Sequence, residues 1–234
     1  MEQKSGRLKE GLIAGIPLAI GYFPVAMAFG LLAKTVNVSL TDTCLFSLLV
    51  FAGASQFMAL DLIKAGFATG DIVLATFLLN LRHLMMSASL AARLAGVKKG
   101  WLPVIAFGIT DESFSVASVQ PGILRVSFLL ALQGIGYASW VGGTLAGYLL
   151  GTAMPVSVQS SLGIGLYAMF MAILAPEIKK SGRVFGLAVS AGAIYAANDY
   201  WGLLPAGWGL ITAILLASLA GLFVFATETG ECEQ

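Results

Sequence analysis

The stretches FAGASQF at residues 51–57 and FGITDESF at residues 107–114 each place a short polar break inside an apolar run. An acidic side chain in the hydrocarbon core of a bilayer costs about 2.5 kcal/mol or more. Asp111 and Glu112 are therefore expected to face a cavity or a partner, and Ser55 and Gln56 mark a similar interruption. The alternative is a loop near the membrane surface, where the charges are merely hydrated.

Composition places these breaks in a membrane protein. Hydrophobic residues make up 58% of the 234 residues and charged residues only 11%, against roughly a quarter in soluble domains. We expect an all-α, polytopic integral membrane protein with one transmembrane domain over residues 1–234 and short tails at 1–10 and 227–234. The net charge of +1 and the lack of a long polar segment give no reason to expect nucleic acid, a metal, a cofactor or an enzyme active site.

The chain divides into eight apolar elements. They span residues 11–33, 41–65, 71–94, 101–120, 123–151, 157–175, 183–197 and 207–226. The breaks interrupt the second element at residues 53–56 and the fourth at residues 108–113. Helices end near prolines, and the prolines predicted to lie at boundaries are Pro121, Pro155, Pro176 and Pro205.

Basic residues orient these elements, because cytoplasmic loops are enriched in Lys and Arg. With the N-terminus inside and all elements crossing, eight basic residues lie inside and four outside. If both broken elements dip in and return to the same side, ten lie inside and two outside. If only one broken element dips, the excess of basic residues on the inside disappears. Either both broken elements dip or both cross the membrane, and we favour both dipping. The prediction is about six full transmembrane helices plus two re-entrant elements in an inverted repeat, with both termini cytoplasmic.

Polar residues of the third element and of the breaks form a candidate site. Asn80 and His83 share a helix face, and Arg82 is predicted to pair with a buried acid, either in the site or as a structural ion pair. Ser55 is predicted to cap the half-helix after the first break, whose N–H groups would then bind an anion. Thr110 or Ser113 is expected to act in the same way at the second break. The alternative is a glycine kink with the hydroxyls bonded to the backbone.

Glycines on the fifth element predict a close helix contact. Gly143, Gly147 and Gly151 form a stripe against which another helix can pack. That helix could belong to this chain, to a second copy in a homo-oligomer, or to a different subunit. In the first element, Pro17 and Pro24 predict a bend.

Four motifs carry a resemblance to a known family. The chain resembles the AzlC family of branched-chain amino acid permeases in GIPLAIGYFPVAMAFGLLA at 15–33, FAGASQF at 51–57, NLRHLMMSASL at 80–90 and FGITDESF at 107–114. The resemblance covers essentially the whole chain. It implies the large subunit of a two-component exporter of Leu, Ile, Val and their analogues in the cell inner membrane, with a small hydrophobic AzlD-type partner. The motif residues carried over are Gly53, Ser55, Gln56, Asn80, Arg82, His83, Asp111 and Glu112.

The expected function is proton-coupled antiport that exports branched-chain or similar small neutral amino acids. The substrate carboxylate is placed near Ser55 and Gln56, and its ammonium near Asp111 or Glu112, or near backbone carbonyls at the second break. The predicted substrate-binding residues are Gly53, Ser55, Gln56, Phe57, Asn80, Phe107, Thr110 and Ser113. The predicted proton-coupling residues are Asp111, Glu112, His83 and Arg82. A channel-like pore for a small solute is the alternative. An intramembrane enzyme using Ser55 or Ser113 with His83 is a third hypothesis, for which no GxSxG motif is present.

Overall fold

The computed structural model describes residues 2–94, 97–202, 204 and 208–229, and every regular element within them is helical. The ten α-helices are α1 (Glu2–Thr35), α2 (Leu40–Leu49), α3 (Gly53–Lys64), α4 (Thr69–Ala91), α5 (Leu102–Phe107), α6 (Asp111–Ser118), α7 (Val126–Leu150), α8 (Val156–Lys180), α9 (Gly182–Trp201) and α10 (Trp208–Thr229). Short 3₁₀ turns follow α4 and α7 and precede α5. The all-α prediction is confirmed.

Several predicted boundaries need correction. Residues 2–10, predicted as a tail, form the first turns of α1. Pro176 lies inside α8 rather than at its end. Residues 227–229, also predicted as tail, form the end of α10. Pro205 and the rest of the predicted tail, residues 230–234, lie outside the described residues.

Three helical stretches of the described chain are long and apolar enough to cross a membrane. They are Arg7–Thr35, Thr69–Leu94 and Val126–Ala153. These spans belong to α1, α4 and α7, which also organise the two broken elements. The count of six crossing helices stays a prediction.

The glycine stripe of α7 packs against α1 of the same chain. A β-carbon at Gly147 would overlap the carbonyl oxygen of Met27, and one at Gly143 would lie 2.5 Å from the Phe23 carbonyl oxygen. Near the other end, a β-carbon at Gly11 of α1 would overlap the Phe128 carbonyl oxygen. Because early positions of α1 meet early positions of α7 and late positions meet late ones, the two helices run parallel. The absence of side chains lets their backbones approach closely.

The first broken element starts and finishes at the C-terminal end of α1. The Val38 carbonyl, just before α2, accepts a hydrogen bond of 3.0 Å from Tyr148 near the end of α7. Leu60, near the end of α3, packs with Phe29 and Ala33 of α1. Residues 50–52 turn the chain between α2 and α3, just before the predicted break at 53–56.

The second broken element starts and finishes at the opposite end of the bundle. Trp101, just before α5, lines a cavity with Leu8 of α1 and Val126 of α7. The Arg93 guanidinium, just beyond α4, holds the segment at the end of α6. It donates hydrogen bonds to the carbonyl oxygens of Ala117, Ser118, Gln120 and Gly122. Residues 108–110 form the break.

The direction of α4 completes the topology. The region where α3 meets α4 forms a cluster around Met58, Leu62 and Ala75, while Leu94 beyond α4 packs with Leu124 and Phe128 at the start of α7. α4 is therefore antiparallel to α1 and α7. Two helical hairpins thus enter from opposite ends, and the long helices that follow them run in opposite senses. An antiparallel α4 is what the charge count favours if both broken elements return to the end from which they start, whereas eight crossing elements would have made α4 parallel to α1.

The α1–α7 contact can be tested with Gly147→Ala. The new methyl group meets backbone that has no room to move, and overpacking of this kind typically costs about 1–3 kcal/mol. We expect a lower melting temperature of the purified protein in detergent. Gly142→Ala is the matched control, because nothing lies within 4 Å of its β-carbon position and alanine favours a helix over glycine. Equal stability of the two variants would contradict the contact.

Candidate functional site

The two breaks meet halfway along α1 and α7. The Phe51 and Phe107 rings lie 6.0 Å apart between centroids. The Tyr22 ring of α1 packs edge-on against Phe51 at 6.2 Å and against Trp140 of α7 at 5.5 Å. Phe51 adopts a φ of 42°, a left-handed conformation that is strained for a residue with a side chain. The strain lies at the point where the first hairpin reverses.

The helix after the first break begins earlier than predicted. Ala52 stands at the N-cap of α3 and provides no side-chain cap. Ser55 lies in the first turn, where its Oγ donates to the Ala52 carbonyl oxygen at 2.9 Å. The prediction of Ser55 as N-cap is therefore wrong, although the half-helix itself exists. Ser55 instead fits the alternative, in which the hydroxyl is hydrogen-bonded to the backbone.

The helix after the second break is capped by its own residues. The Thr110 hydroxyl accepts from the Ser113 N–H at 3.2 Å, and the Ser113 hydroxyl accepts from the Thr110 N–H at 2.8 Å. This reciprocal capping box satisfies two backbone donors and confirms Thr110 as the cap predicted for this break. Asp111 and Glu112 follow in the first turn of α6, where negative charge complements the helix dipole.

Two adjacent residues of α4 hold the second break. Arg82 Nη1 lies 3.0 Å from Asp111 Oδ2, which confirms the predicted pairing of Arg82 with an acid. His83 Nδ1 lies 2.8 Å from the Ile109 carbonyl oxygen. Because a carbonyl only accepts, Nδ1 is the donor, and in a neutral ring Nε2 is then an acceptor. No hydrogen bond joins His83 to Ser55 or Ser113 in the described structure, so the enzyme hypothesis gains no support.

Glu112 is bound by a residue that the sequence did not single out. The Tyr22 hydroxyl donates to Glu112 Oε2 at 2.5 Å and lies 2.6 Å from Thr110 Oγ1. Having one proton, this hydroxyl donates to the carboxylate and accepts from threonine. The sequence did contain a signal for this residue. Tyrosine favours membrane interfaces, whereas Tyr22 lies in the middle of an apolar helix.

Side chains behind the first break form two further hydrogen-bonded groups. Asn80 Nδ2 donates to Ser55 Oγ at 3.1 Å. Gln56 Nε2 donates to Ser47 Oγ at 3.2 Å, and Ser47 Oγ lies 2.7 Å from Thr144 Oγ1. These contacts turn Gln56 towards α2 and α7. Ser47 and Thr144 are fully buried and were missed, because an isolated hydroxyl in an apolar helix carries no signal of its own.

A small cavity lies where the breaks, α1, α4 and α7 converge. Its volume is about 20 Å³, which is room for about one water molecule. Of the predicted site residues, those lining it are Gly53, Arg82, His83, Thr110, Asp111 and Glu112. Those lying outside its lining are Ser55, Gln56, Phe57, Asn80, Phe107 and Ser113. Tyr22 and Trp140 line it as well.

Residues that line this cavity carry buried polar atoms without a hydrogen-bond partner. Within the described structure these atoms are Arg82 Nε, His83 Nε2, Glu112 Oε1 and Trp140 Nε1. Buried polar atoms are nearly always paired in native proteins, so such a group marks a place where a polar ligand can bind. The group includes the N–H donors of Arg82 and Trp140 and the carboxylate acceptor of Glu112, and therefore suits a ligand with both positive and negative parts.

Comparison with known proteins identifies the family. The family model described as AzlC protein matches residues 17–154. The chain belongs to the AzlC family. That span includes both breaks and the α4 residues between them, so the resemblance carried by GASQF, NLRH and TDESF is confirmed. No solved structure matches the chain.

Relatives of this AzlC-family chain are named as membrane proteins. An uncharacterized membrane protein of Archaeoglobus fulgidus is 37% identical over 220 residues, covering 93% of this chain and 94% of the relative. Inner membrane protein YgaZ of Escherichia coli is 30% identical over 200 residues, covering 81% of each. The branched-chain amino acid transport protein AzlC of Bacillus subtilis is 24% identical over 200 residues, covering 82% of this chain and 77% of the relative. With its apolar helices, the chain is a multi-pass membrane protein.

A second cavity of the AzlC-family chain is larger but lacks this polar arrangement. Its volume is about 720 Å³, and it lies near the start of α7. Its charged lining residues are Lys98 and Arg125, without a carboxylate. None of the predicted site residues lines it. No group of three His, Cys, Asp or Glu side chains suited to a metal ion occurs in the described parts of the chain.

Tyr22→Phe tests the link between α1 and the second break. The ring packing is kept, while Glu112 and Thr110 lose a hydroxyl partner in a buried place, which typically costs about 1–3 kcal/mol. We expect a lower melting temperature in detergent. Tyr200→Phe is the control, because Tyr200 is 85% exposed and should change stability by less than about 0.5 kcal/mol. Unchanged melting of both variants would contradict the role of the hydroxyl.

Proposed function

We propose that this AzlC-family chain is a secondary transporter that exports branched-chain or similar small neutral amino acids in exchange for protons. The observation that carries the proposal is the set of unpaired polar atoms on residues that line the cavity between the two breaks. An amino acid zwitterion presents a carboxylate to donors and an ammonium group to acceptors. The printed name of the Bacillus subtilis relative, branched-chain amino acid transport protein, supports the substrate class.

The size of the cavity favours a carrier over a channel-like pore. A space for about one water molecule cannot pass an amino acid, so the elements around it must separate for the substrate to enter. Paired hairpins that meet at mid-depth from opposite ends suit alternating access, in which one side opens while the other stays closed. A channel would need a continuous path.

The two adjacent acids have different partners, which suggests different roles. Asp111 is paired with the Arg82 guanidinium, so its charge is already balanced. Glu112 is bonded to the neutral Tyr22 hydroxyl, its Oε1 has no hydrogen-bond partner in the described structure, and the residue lines the cavity. A carboxylate at this depth is favoured when it binds a cation or a proton. We assign the substrate ammonium and the coupling proton to Glu112 in alternation, so that a proton entering the cell replaces an amino acid leaving it.

The membrane arrangement proposed for this function has about six crossing helices and two re-entrant hairpins, with both termini cytoplasmic. The end of the bundle that carries Lys98 and Arg125 then faces the cytoplasm, in agreement with the positive-inside rule. A small hydrophobic AzlD-type subunit completes the permease in this proposal.

Substitution of each acid separates their roles. Glu112→Gln keeps the shape and removes the charge, so we expect the apparent KM for leucine to rise about 10- to 100-fold, the range of one charge-assisted hydrogen bond. Uphill efflux driven by a proton gradient should be lost. The measurement is transport in proteoliposomes containing the chain with and without an AzlD-type subunit.

Asp111→Asn is the matched control for Glu112→Gln. It breaks the ion pair with Arg82 but should keep the dependence of leucine transport on pH. Proton-driven leucine efflux at wild-type level in Glu112→Gln would contradict the assignment to Glu112. Loss of proton coupling in Asp111→Asn alone would move the role to Asp111.

Cysteine labelling tests the orientation. In a background without Cys44 and Cys232, Lys64→Cys should react with an impermeant reagent added outside cells, since it lies at the end of α3. Lys98→Cys, near the start of α5, should react only after permeabilisation. The opposite pattern would reverse the orientation, and labelling of both from one side would contradict entry of the hairpins from opposite faces.

A further inference from the structure

The two half-helices that start at the cavity have unlike N-termini. α6 carries a capping box and two acids in its first turn. α3, with 12 residues, has no side-chain cap and no acid in its first turn. Gly53 and Ala54 of this turn line the cavity. The start of α3 therefore presents backbone N–H groups and the positive end of a helix dipole, a combination that attracts anions.

An independent observation points to a hydrogen-bond acceptor at the same cavity. Trp140 of α7 is only 2% exposed, and its Nε1 has no hydrogen-bond partner in the described structure. It lines the same cavity as Gly53 and Ala54. The indole N–H can only donate, so the ligand group that satisfies it must be an acceptor.

The position of the indole is set by a glycine. A β-carbon at Gly53 would lie 2.7 Å from Trp140 Cη2, closer than such atoms approach. The ring therefore rests directly on the first residue of α3, and Trp140 lines the same cavity as the open helix end. Any larger residue at position 53 would displace the ring.

We propose that the start of α3 and Trp140 Nε1 form a carboxylate subsite, so that the protein selects substrates with a free α-carboxylate. The inference rests on the proposed function and adds an orientation to it. The carboxylate lies against α3 and Trp140, and the ammonium group lies towards Glu112 at the start of α6. Arg82 Nε, also unpaired and in the cavity lining, strengthens the donor side, while its Nη1 holds Asp111.

The test compares leucine with 3-methylbutylamine, which keeps the ammonium group and side chain but has no carboxyl group. Trp140→Phe keeps an aromatic ring and removes the N–H. We expect it to weaken leucine binding about tenfold, as for one hydrogen bond to a charged group, and to leave inhibition by 3-methylbutylamine unchanged. Trp101→Phe, at the rim of the bundle and 44% exposed, is the control and should change neither. The readout is competition against labelled leucine in proteoliposomes.

Unchanged preference for leucine over 3-methylbutylamine in Trp140→Phe would overturn the subsite and leave the transport function intact. Failure of the wild type to bind or move leucine would instead overturn the proposed function. If Trp140→Phe does not fold, a variant with Trp140 as its single tryptophan gives a second measurement. Leucine should shift its fluorescence and 3-methylbutylamine should not, and equal shifts would count against the proposal.

Discussion

Close parallel packing of α1 against α7 is the constraint on which the rest of the structure depends. Glycines on both helices, Gly11 and Gly30 on α1 and Gly143 and Gly147 on α7, let one backbone rest on the other along their whole length. The two helices therefore present Tyr22 and Trp140 at one height. Both hairpins pack against this pair from opposite ends, and their breaks stop at the level of these two aromatic residues. The depth of the site follows from this packing.

The two breaks have similar shape and opposite chemistry. Each starts a half-helix at the cavity, but only α6 carries its own cap and acids, whereas α3 starts without either. One half-helix therefore offers negative charge and the other offers N–H donors. The cavity therefore has an acidic side and a side with N–H donors. A zwitterion can interact with both sides, whereas a simple cation or anion would interact with only one.

The sequence allowed the two breaks, their pairing and the polar residues of α4 to be predicted, because polar groups in a membrane segment and the distribution of basic residues are visible without a fold. Tyr22 and Trp140 were not found, because their roles depend on which faces of α1 and α7 meet. The start of α3 was placed wrongly at Ser55. The helix begins earlier, just after the left-handed Phe51 and at Gly53, which contacts Trp140. No capping residue in the local sequence marks this start.

The helices around the cavity differ in how much of each is buried by packing. In the apolar stretches of α1 and α7, 44% of residues are buried, against 6% in α4. At the breaks, α4 is attached through the Arg82–Asp111 pair and the hydrogen bonds of His83 and Asn80. Separating α4 from the breaks disrupts these few polar contacts, whereas opening the glycine-packed interface of α1 and α7 would separate two closely packed backbones. We therefore infer that movement of α4 away from the breaks, against a fixed α1–α7 pair, is the opening that this packing resists least, and that it would uncover the cavity lined by Glu112 and the start of α3.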